Sequence, residues 1–231
     1  MARAAAKQTR ARSAEDKEAR AGAILDAGLE VLRDAGFGGL TMAEVARRAG
    51  LAKGTVFLYF ATKEALGLAL TERLLAEWFD EVDRRLDGVR EPCTPEAAAR
   101  LVARSVEGHD ELVALLSILG SILEHNVEAG AAAGFKRTLL ARATATGERI
   151  ERVLPFLAAG DGLRVLLLVN ALVVGLHQMA GQAPVVRRLL ESPEFRVFRV
   201  DFPEALADAL RTHLEGLRVL RGGGPSPSSS E

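Results

Sequence analysis

The chain has 231 residues, of which 48% are hydrophobic, 26% charged and only 5% aromatic, and this is the ordinary balance of a folded globular protein. Cys93 is the single cysteine, so an intrachain disulfide framework is excluded. The formal net charge is −1, but the first 63 residues are net basic and the remainder is net acidic. This asymmetry predicts a polyanionic partner for the N-terminal part.

Sequence signals for catalysis, metal binding and membrane insertion are weak. The histidines at positions 109, 125, 177 and 213 do not have the i, i+4 spacing of a helical metal site. We find no Ser/His/Asp or Cys/His arrangement and no phosphate-binding glycine loop. The apolar stretch 163–179 is short and polar for a membrane span, and no apolar signal region follows the basic N-terminus. We therefore expect a cytoplasmic protein that is not an enzyme and has no cofactor, metal or membrane partner.

The first part of the chain divides into an arm and a helix. Residues 1–12 lack apolar periodicity, so we predict a flexible basic arm whose cations either contact a polyanion or only aid solubility. Apolar residues then recur at helical spacing from Ala21 to Ala35, and Ser13 is placed to cap this helix. Glycines at 36, 38 and 39 predict its end.

The next segment carries a complete helix-start signal. Thr41 is a predicted N-cap, Glu44 stands three residues later to close a capping box, and Leu40 with Val45 can form a hydrophobic staple. Gly50 should end this helix. We predict a helix over 41–49, a turn over 50–53 and a second helix over 54–60, which is the spacing of a helix–turn–helix.

The rest of the chain also has a helical pattern. Thr62 should cap a long helix, because apolar residues recur every four positions from Leu66 to Leu86. Further helices are predicted over 94–108, 110–127, 129–158, 161–180, 184–191 and 203–220. The Gly/Pro/Ser-rich tail, 222–231, should be disordered. We expect an all-α protein with a three-helix DNA-binding type of domain over 13–63 and a larger helical domain over 64–221.

The segment 40–66 resembles the DNA-binding signature of the TetR family of bacterial transcriptional regulators. That signature combines an A-x-x-A-G turn, a G-T-x-Y-x-Y-F recognition helix and a K-E pair. Here these elements stand at 46–50, at 54–60 and at Lys63-Glu64. Phe57 departs from the commoner tyrosine, so one possible phosphate donor is lost there.

The resemblance implies that a set of residues around the second short helix faces double-stranded DNA: Thr41, Lys53, Gly54, Thr55, Phe57, Tyr59 and Lys63. Lys53 and Thr55, with Phe57 as a further candidate, would read bases, because Lys and Thr reach major-groove acceptors and an aromatic edge suits a thymine methyl. Thr41, Tyr59 and Lys63 would bind phosphates. Thr41 has the alternative role of a cap only, and Arg47 and Arg48 fit a solvated face better than base reading.

By the same resemblance, the C-terminal body dimerises through helices 161–180 and 203–220. Apolar residues cover more than one face of the first of these helices, which favours a partner, although a helix wholly inside one subunit would show the same pattern. The predicted interface residues are Leu166, Val169, Leu172, Val173, Leu176, Leu206, Leu210 and Leu214.

The resemblance also implies a small-molecule pocket in the body. Its candidate lining residues are Trp78, Phe79, Leu116, Leu119, Leu123, Phe135, Leu139, Asn170 and Met179. His125, Arg142, His177 and Gln178 are candidate polar anchors, and most of these residues could instead be ordinary core. We therefore expect a homodimeric repressor that binds a palindromic operator and is released by a small molecule. The alternative is a DNA-anchored regulator whose body binds a protein partner.

Overall fold

The computed structural model describes residues 2–123, 126–181 and 184–221, and within them every regular element is helical. The α-helices are α1 (Ala2–Gly39), α2 (Met42–Arg48), α3 (Lys53–Tyr59), α4 (Lys63–Asp87), α5 (Pro95–Val106), α6 (Asp110–Ile118), α7 (Ala129–Val153), α8 (Asp161–Ala180), α9 (Pro184–Leu189) and α10 (Phe202–Arg221). A π-helical turn, Leu119–Leu123, follows α6, and a 3-10 turn, Arg196–Phe198, precedes α10. The predicted all-α class is confirmed.

The first helix differs from the prediction at both ends. It begins at Ala2, not at Ser13, so the backbone of residues 2–12 is helical where we predicted an irregular arm. Alanine, arginine, lysine and glutamine dominate this stretch, and all four are strong helix formers. At the other end the chain kinks at Gly36, which has φ 62° and ψ −175°, a conformation that only glycine adopts readily. The predicted disordered tail, 222–231, lies outside the described residues.

The chain divides into two compact units, Met1–Arg73 with Ile118–Ala133 and Leu74–Ser117 with Gly134–Glu231. The division falls inside α4, beyond the predicted boundary at residues 63 and 64. The beginning of α4 belongs to the first unit because Leu66 and Leu70 are fully buried there. A Cβ on Gly28 would lie 3.3 Å from the Leu70 side chain, so a glycine in α1 lets α4 approach closely.

The second unit has a core formed by residues of α4 to α8 and α10. The fully buried side chains Leu115, Leu154, Leu206 and Leu210 lie in it. Helix α10 packs on α5 and α8. Helices α7 and α8 approach closely at Gly147, where a Cβ would lie 2.7 Å from the backbone nitrogen of Leu163.

A ladder of ion pairs joins α4 to α7 within this second unit. The acidic side of the ladder consists of three α4 residues, Asp80, Asp83 and Asp87. The basic side consists of two α7 residues, Arg142 and Arg149. The Arg142 guanidinium lies 2.5 Å from Asp80, and that of Arg149 lies 3.6 Å from Asp83 and 3.4 Å from Asp87. The hydroxyl of the fully buried Thr146 donates to Asp83 at 2.6 Å. This hydrogen bond satisfies a polar group that burial would otherwise destabilise.

Helix α8 is apolar but only one of its faces is covered by the chain. By length and composition alone the helix could cross a membrane, so our expectation that this stretch is too short and too polar is wrong on both criteria. The helix runs from Asp161 to Ala180 and so extends beyond the apolar stretch 163–179 at both ends. Val165, Val169 and Val173 are buried, whereas Leu167 on the other face is 63% exposed. Length and composition do not separate a membrane helix from one that packs against protein.

Candidate nucleic-acid interface

The start of α2 is fixed by the predicted cap. The Thr41 backbone is extended, and its Oγ1 accepts a hydrogen bond from the Glu44 N–H at 3.2 Å. The other half of the predicted capping box is replaced, because the Glu44 carboxylate binds Arg47 and Arg48. Leu40 and Val45 are both fully buried, as expected for a hydrophobic staple.

The turn between α2 and α3 depends on one glycine. Gly50 has φ 65°, the left-handed conformation that favours glycine at the end of a helix. The Leu51 N–H donates to the Ala46 carbonyl at 2.9 Å, and the Gly50 N–H donates to the Arg47 carbonyl at 3.3 Å. This pair of bonds closes α2 in a Schellman motif and sends the chain into α3 after a short turn.

Helix α3 buries one side and exposes the other. Val56 is fully buried and anchors α3 in the first unit. Lys53, Gly54, Phe57 and Leu58 form the exposed face, at the i, i+1, i+4, i+5 spacing of one side of a helix. Leu58 is 83% exposed but is not among the residues that we predicted to face DNA. Its position four residues after Gly54 places it on the same side of the helix, so the sequence spacing could have identified it.

The two predicted lysines are held by aromatic rings. The Lys53 ammonium lies 5.7 Å from the centroid of the Phe57 ring, and the Lys63 ammonium lies 4.2 Å from that of Phe37. The Lys63 ammonium also donates to the Gly38 carbonyl at 3.5 Å. Each ammonium therefore lies over an aromatic ring, while Lys53 is exposed and Lys63 half-buried.

The three remaining predicted DNA contacts differ in exposure. Thr41 is exposed but already uses its hydroxyl oxygen as a cap. Thr55 and Tyr59 are half-buried on α3.

An ionic cluster of α1 and α2 residues lies in the same unit. Glu44 accepts from Arg47 at 2.6 Å and from Arg48 at 2.9 Å, and Arg48 also donates to Asp34 of α1 at 2.7 Å. Hydrogen bonds from Arg47 and Arg48 lower the pKa of the Glu44 carboxyl to about 2. Arg48 therefore joins α1 to α2 through ion pairs. This structural role agrees with the expectation that Arg48 does not read bases.

This cluster predicts an acid-dependent stability. The pKa of Glu44 is lowered from its ordinary value of 4.5 to about 2 by folding, so its stabilising contribution is complete above pH 4.5 and is lost as the pH falls toward 2. Urea unfolding of the wild type and of Glu44→Gln should therefore give a difference in unfolding free energy that is largest near pH 6 and shrinks below pH 4. A difference independent of pH would contradict this role.

The structure divides the predicted interface residues between core and surface. Buried within the single chain are Leu166, Val169, Val173, Leu206, Leu210 and Leu214. Those residues pack inside the single chain, which leaves their surface small for contact with a partner, and the interface stays a prediction. Leu172 and Leu176 are half-buried, and the exposed side of α8 carries Leu167, Ala171 and Gly175.

Some of the predicted pocket residues are buried together in the second unit, and others lie elsewhere. Trp78, Phe79 and Phe135 are buried; the Trp78 and Phe79 centroids lie 5.0 Å apart, and the Trp78 indole N–H donates to Ser105 at 3.1 Å. The Arg142 guanidinium lies 5.7 Å from the Phe79 centroid.

The other pocket candidates do not join this aromatic group. Asn170 and Gln178 are exposed on α8, and the ring of His177 lies edge-on to Phe202 with centroids 6.3 Å apart. Leu119 is half-buried in the first unit. The side chain of Leu123 and all of His125 lie outside the described residues.

Two cavities of the second unit are relevant to ligand binding. The enclosed one measures about 20 Å³ and is lined by Leu86, Ala98, Ala99, Val102, Ile150, Val153, Leu154, Val165, Leu210 and Leu214, which leaves room for little more than a water molecule. A wider cleft of about 270 Å³ is lined by Met179, Ala180, Arg187, Leu190, Glu191, Arg199 and Val200. Of the predicted pocket residues, Met179 lines the wider cleft, and the smaller cavity is lined by none of them.

Two family models match the chain. The model described as "Bacterial regulatory proteins, tetR family" matches residues 24–70, and the model described as "Tetracyclin repressor-like, C-terminal domain" matches residues 72–221. The two matches fall on opposite sides of a point close to the division between the compact units.

Individual proteins match the chain over shorter segments than the family models do. The HTH-type transcriptional regulator RutR of Escherichia coli K12 is 35% identical over 94 residues, which are 41% of this chain and 40% of that protein. The HTH-type transcriptional regulator YvdT of Bacillus subtilis is 38% identical over 65 residues, which are 28% of this chain and 34% of that protein. The chain therefore matches only about a third to two fifths of the length of these relatives.

Solved structures resemble the fold over most of the chain. A TetR transcriptional regulator from Rhodococcus sp. RHA1 has a TM-score of 0.55 at 22% identity and covers 89% of this chain and 98% of its own. The multidrug binding protein EbrR, solved with imidazole, has a TM-score of 0.56 at 16% identity and covers 92% of this chain and 98% of its own. At these identities the likeness concerns the fold, whereas the two family models together account for most of the sequence. The chain belongs to the TetR family of bacterial regulatory proteins.

Proposed function

We propose that this protein is a transcriptional regulator that binds operator DNA through α3 and acts as a homodimeric repressor released by a small molecule. The exposed face of α3 is the observation that supports DNA binding most directly. A helix of this size fits the major groove, and Lys53, Thr55 and Phe57 are of the residue types that contact base edges. Such a regulator would act in the bacterial cytoplasm, where operator DNA lies.

Gly54 supports the same proposal. Its backbone has no positive φ, and a Cβ at this position would meet no atom of the chain within 4 Å. The fold itself therefore does not require glycine there. A DNA backbone that comes close to the start of α3 would require one, because a side chain would hold it away.

Phosphate contacts would come from residues beside α3. We propose Thr41, Tyr59 and Lys63 for this role, because a hydroxyl, a phenol and an ammonium can each donate to a phosphate oxygen. Lys63 is the strongest of the three, since it starts α4 and a helix N-terminus itself attracts anions.

Dimerisation is supported by the exposed apolar face of α8. One recognition helix reads only a few base pairs, so two-fold pairing on a palindrome supplies the specificity. Leu167, Ala171 and Gly175 lie on one side of α8, and all are exposed in the single chain. We propose that they pack against a second copy, together with α10.

Ligand release is supported by family membership and by the aromatic pair, Trp78 and Phe79, in the second unit. Because the enclosed cavity there is only about 20 Å³, an effector would have to stabilise a more open arrangement to bind in that core. The alternative, a body that binds a protein partner, is favoured if no metabolite raises the melting temperature of the protein.

The function is tested by selecting duplexes from a randomised library with the purified full chain. We expect a palindromic consensus bound by two chains. Lys63→Met should weaken binding to all duplexes alike and lower the slope of log K against log salt by about 1 per protomer. Lys53→Ala should instead relax the preference at particular bases, by roughly 1–3 kcal/mol.

The two lysine variants serve as controls for each other. Equal losses of specific and non-specific affinity in Lys53→Ala would show that Lys53 binds phosphate and does not read bases. Recovery of an asymmetric half-site with one bound chain would contradict dimeric binding, and failure to enrich any duplex would contradict DNA binding itself.

A further inference from the structure

The last residues of α1, after its kink at Gly36, place an aromatic ring at the start of α4. Gly36 has φ 62° and ψ −175°, which breaks the helical path immediately before Phe37. Because residues with a Cβ avoid this conformation, the kink depends on glycine. Phe37, half-buried, lies directly after the kink with the Lys63 ammonium 4.2 Å from its ring centroid.

The Lys63 ammonium has two partners within the first unit. The ring face of Phe37 attracts its charge, and the Gly38 carbonyl oxygen, 3.5 Å away, accepts one of its protons. An ammonium has three N–H donors, so these partners do not exhaust it. Phe37 and Gly38 at the end of α1 therefore hold the cation in position and leave it able to donate to a third group.

The contact is specific to the aromatic ring. A leucine at position 37 would preserve an apolar surface for the lysine stem but would lack the negative ring face that attracts the ammonium. A tyrosine would keep that face. Substitution by leucine or by tyrosine, which are similar in size to phenylalanine, therefore distinguishes a cation–π role of Phe37 from a packing role.

We propose that Phe37 is a positioning residue for DNA binding: its ring holds the Lys63 ammonium where it meets a phosphate of the bound duplex. This inference rests on the proposed function, which assigns the phosphate contact to Lys63. Without the ring, the four-carbon stem of lysine has to be ordered when DNA binds, and the entropy lost at that moment weakens binding. Phe37 itself touches no DNA in this arrangement.

The test is a double-mutant cycle on the full chain, with a duplex recovered by the selection described above as the probe. Phe37→Leu should weaken binding by about two- to five-fold per protomer, the cost of ordering one flexible side chain on binding. Phe37→Tyr should retain nearly all of the affinity. In a Lys63→Met background, Phe37→Leu should have no further effect, because the cation that it positions is gone.

A purely structural role gives a different result. If Phe37 only supports the fold of the first unit, Phe37→Leu lowers affinity by the same factor with and without Lys63, and that outcome overturns the inference. An unchanged affinity of Lys63→Met also overturns it while leaving DNA binding intact. Failure of the wild type to bind any duplex overturns the proposed function instead. Thermal melts identify unfolded variants; if Phe37→Leu does not fold, Phe37→Met takes its place in the cycle.

Discussion

Gly147→Ala is expected to destabilise the protein, although alanine is the better helix former. In the middle of an exposed helix this change would stabilise by up to about 1 kcal/mol. At Gly147 the new Cβ would lie 2.7 Å from the Leu163 backbone nitrogen and 3.0 Å from the Gly162 carbonyl carbon. Backbone atoms cannot rotate away as a side chain does, so α7 and α8 would have to separate. We expect a net loss of about 1–3 kcal/mol, the usual range for overpacking.

A matched control exists on the same helix. Gly134 also lies in α7, and a Cβ there would meet no atom within 4 Å, so Gly134→Ala should be neutral or slightly stabilising. Gly162→Ala approaches the contact from α8, where its methyl group would overlap the Gly147 carbonyl oxygen, and should be at least as damaging as Gly147→Ala. Urea unfolding of the three variants measures the effect. Equal stabilities of Gly147→Ala and Gly134→Ala would show that the helices do not need this close approach.

Leu167→Glu is expected to convert the proposed dimer to a folded monomer. The Leu167 side chain is 63% exposed in the single chain, so a charge there should change the stability of the monomer little. In a two-fold interface the same change buries two carboxylates without partners, one from each subunit, which costs several kcal/mol. Loss of the second recognition helix should then lower affinity for a palindromic duplex by on the order of 10²-fold or more.

Leu140→Glu is the matched control for this prediction. Leu140 is 57% exposed and lies on α7, outside the helices proposed for the interface. Sedimentation velocity should show a dimer for Leu140→Glu and a monomer for Leu167→Glu, with closely similar circular dichroism spectra. A dimeric Leu167→Glu protein would move the interface away from this face of α8.

Local signals along the sequence were sufficient to predict the helices of the helix–turn–helix and the start of α4. The Thr41 cap, the left-handed Gly50 and the Thr62 cap each act within a few residues of themselves, so their roles follow from residue type and spacing. The structure confirms the Thr41 cap, the helix end at Gly50 and a hydrogen bond from the Ala65 N–H to Thr62 at 3.0 Å. The seven residues predicted to face DNA remain a proposal, and exposure on α3 adds Leu58 to the surface they form.

Contacts between segments that are distant in the sequence could not be predicted from residue type and spacing. The face of α8 that the chain covers depends on how α7 and α10 pack, and the apolar pattern of α8 is nearly uniform, so sequence periodicity did not distinguish Val169 in the core from Leu167 at the surface. The same holds for the pocket candidates: Arg142 lies beside the buried Phe79, whereas Asn170 and Gln178 are exposed on α8. The sequence by itself determined the helical class, the helix starts at Thr41 and Thr62 and the helix–turn–helix, because these follow from hydrogen bonds and backbone preferences local to each residue. The tertiary structure alone decided the Gly147 contact, the Lys63–Phe37 pair and the exposed face of α8, because each depends on which helices approach one another in space.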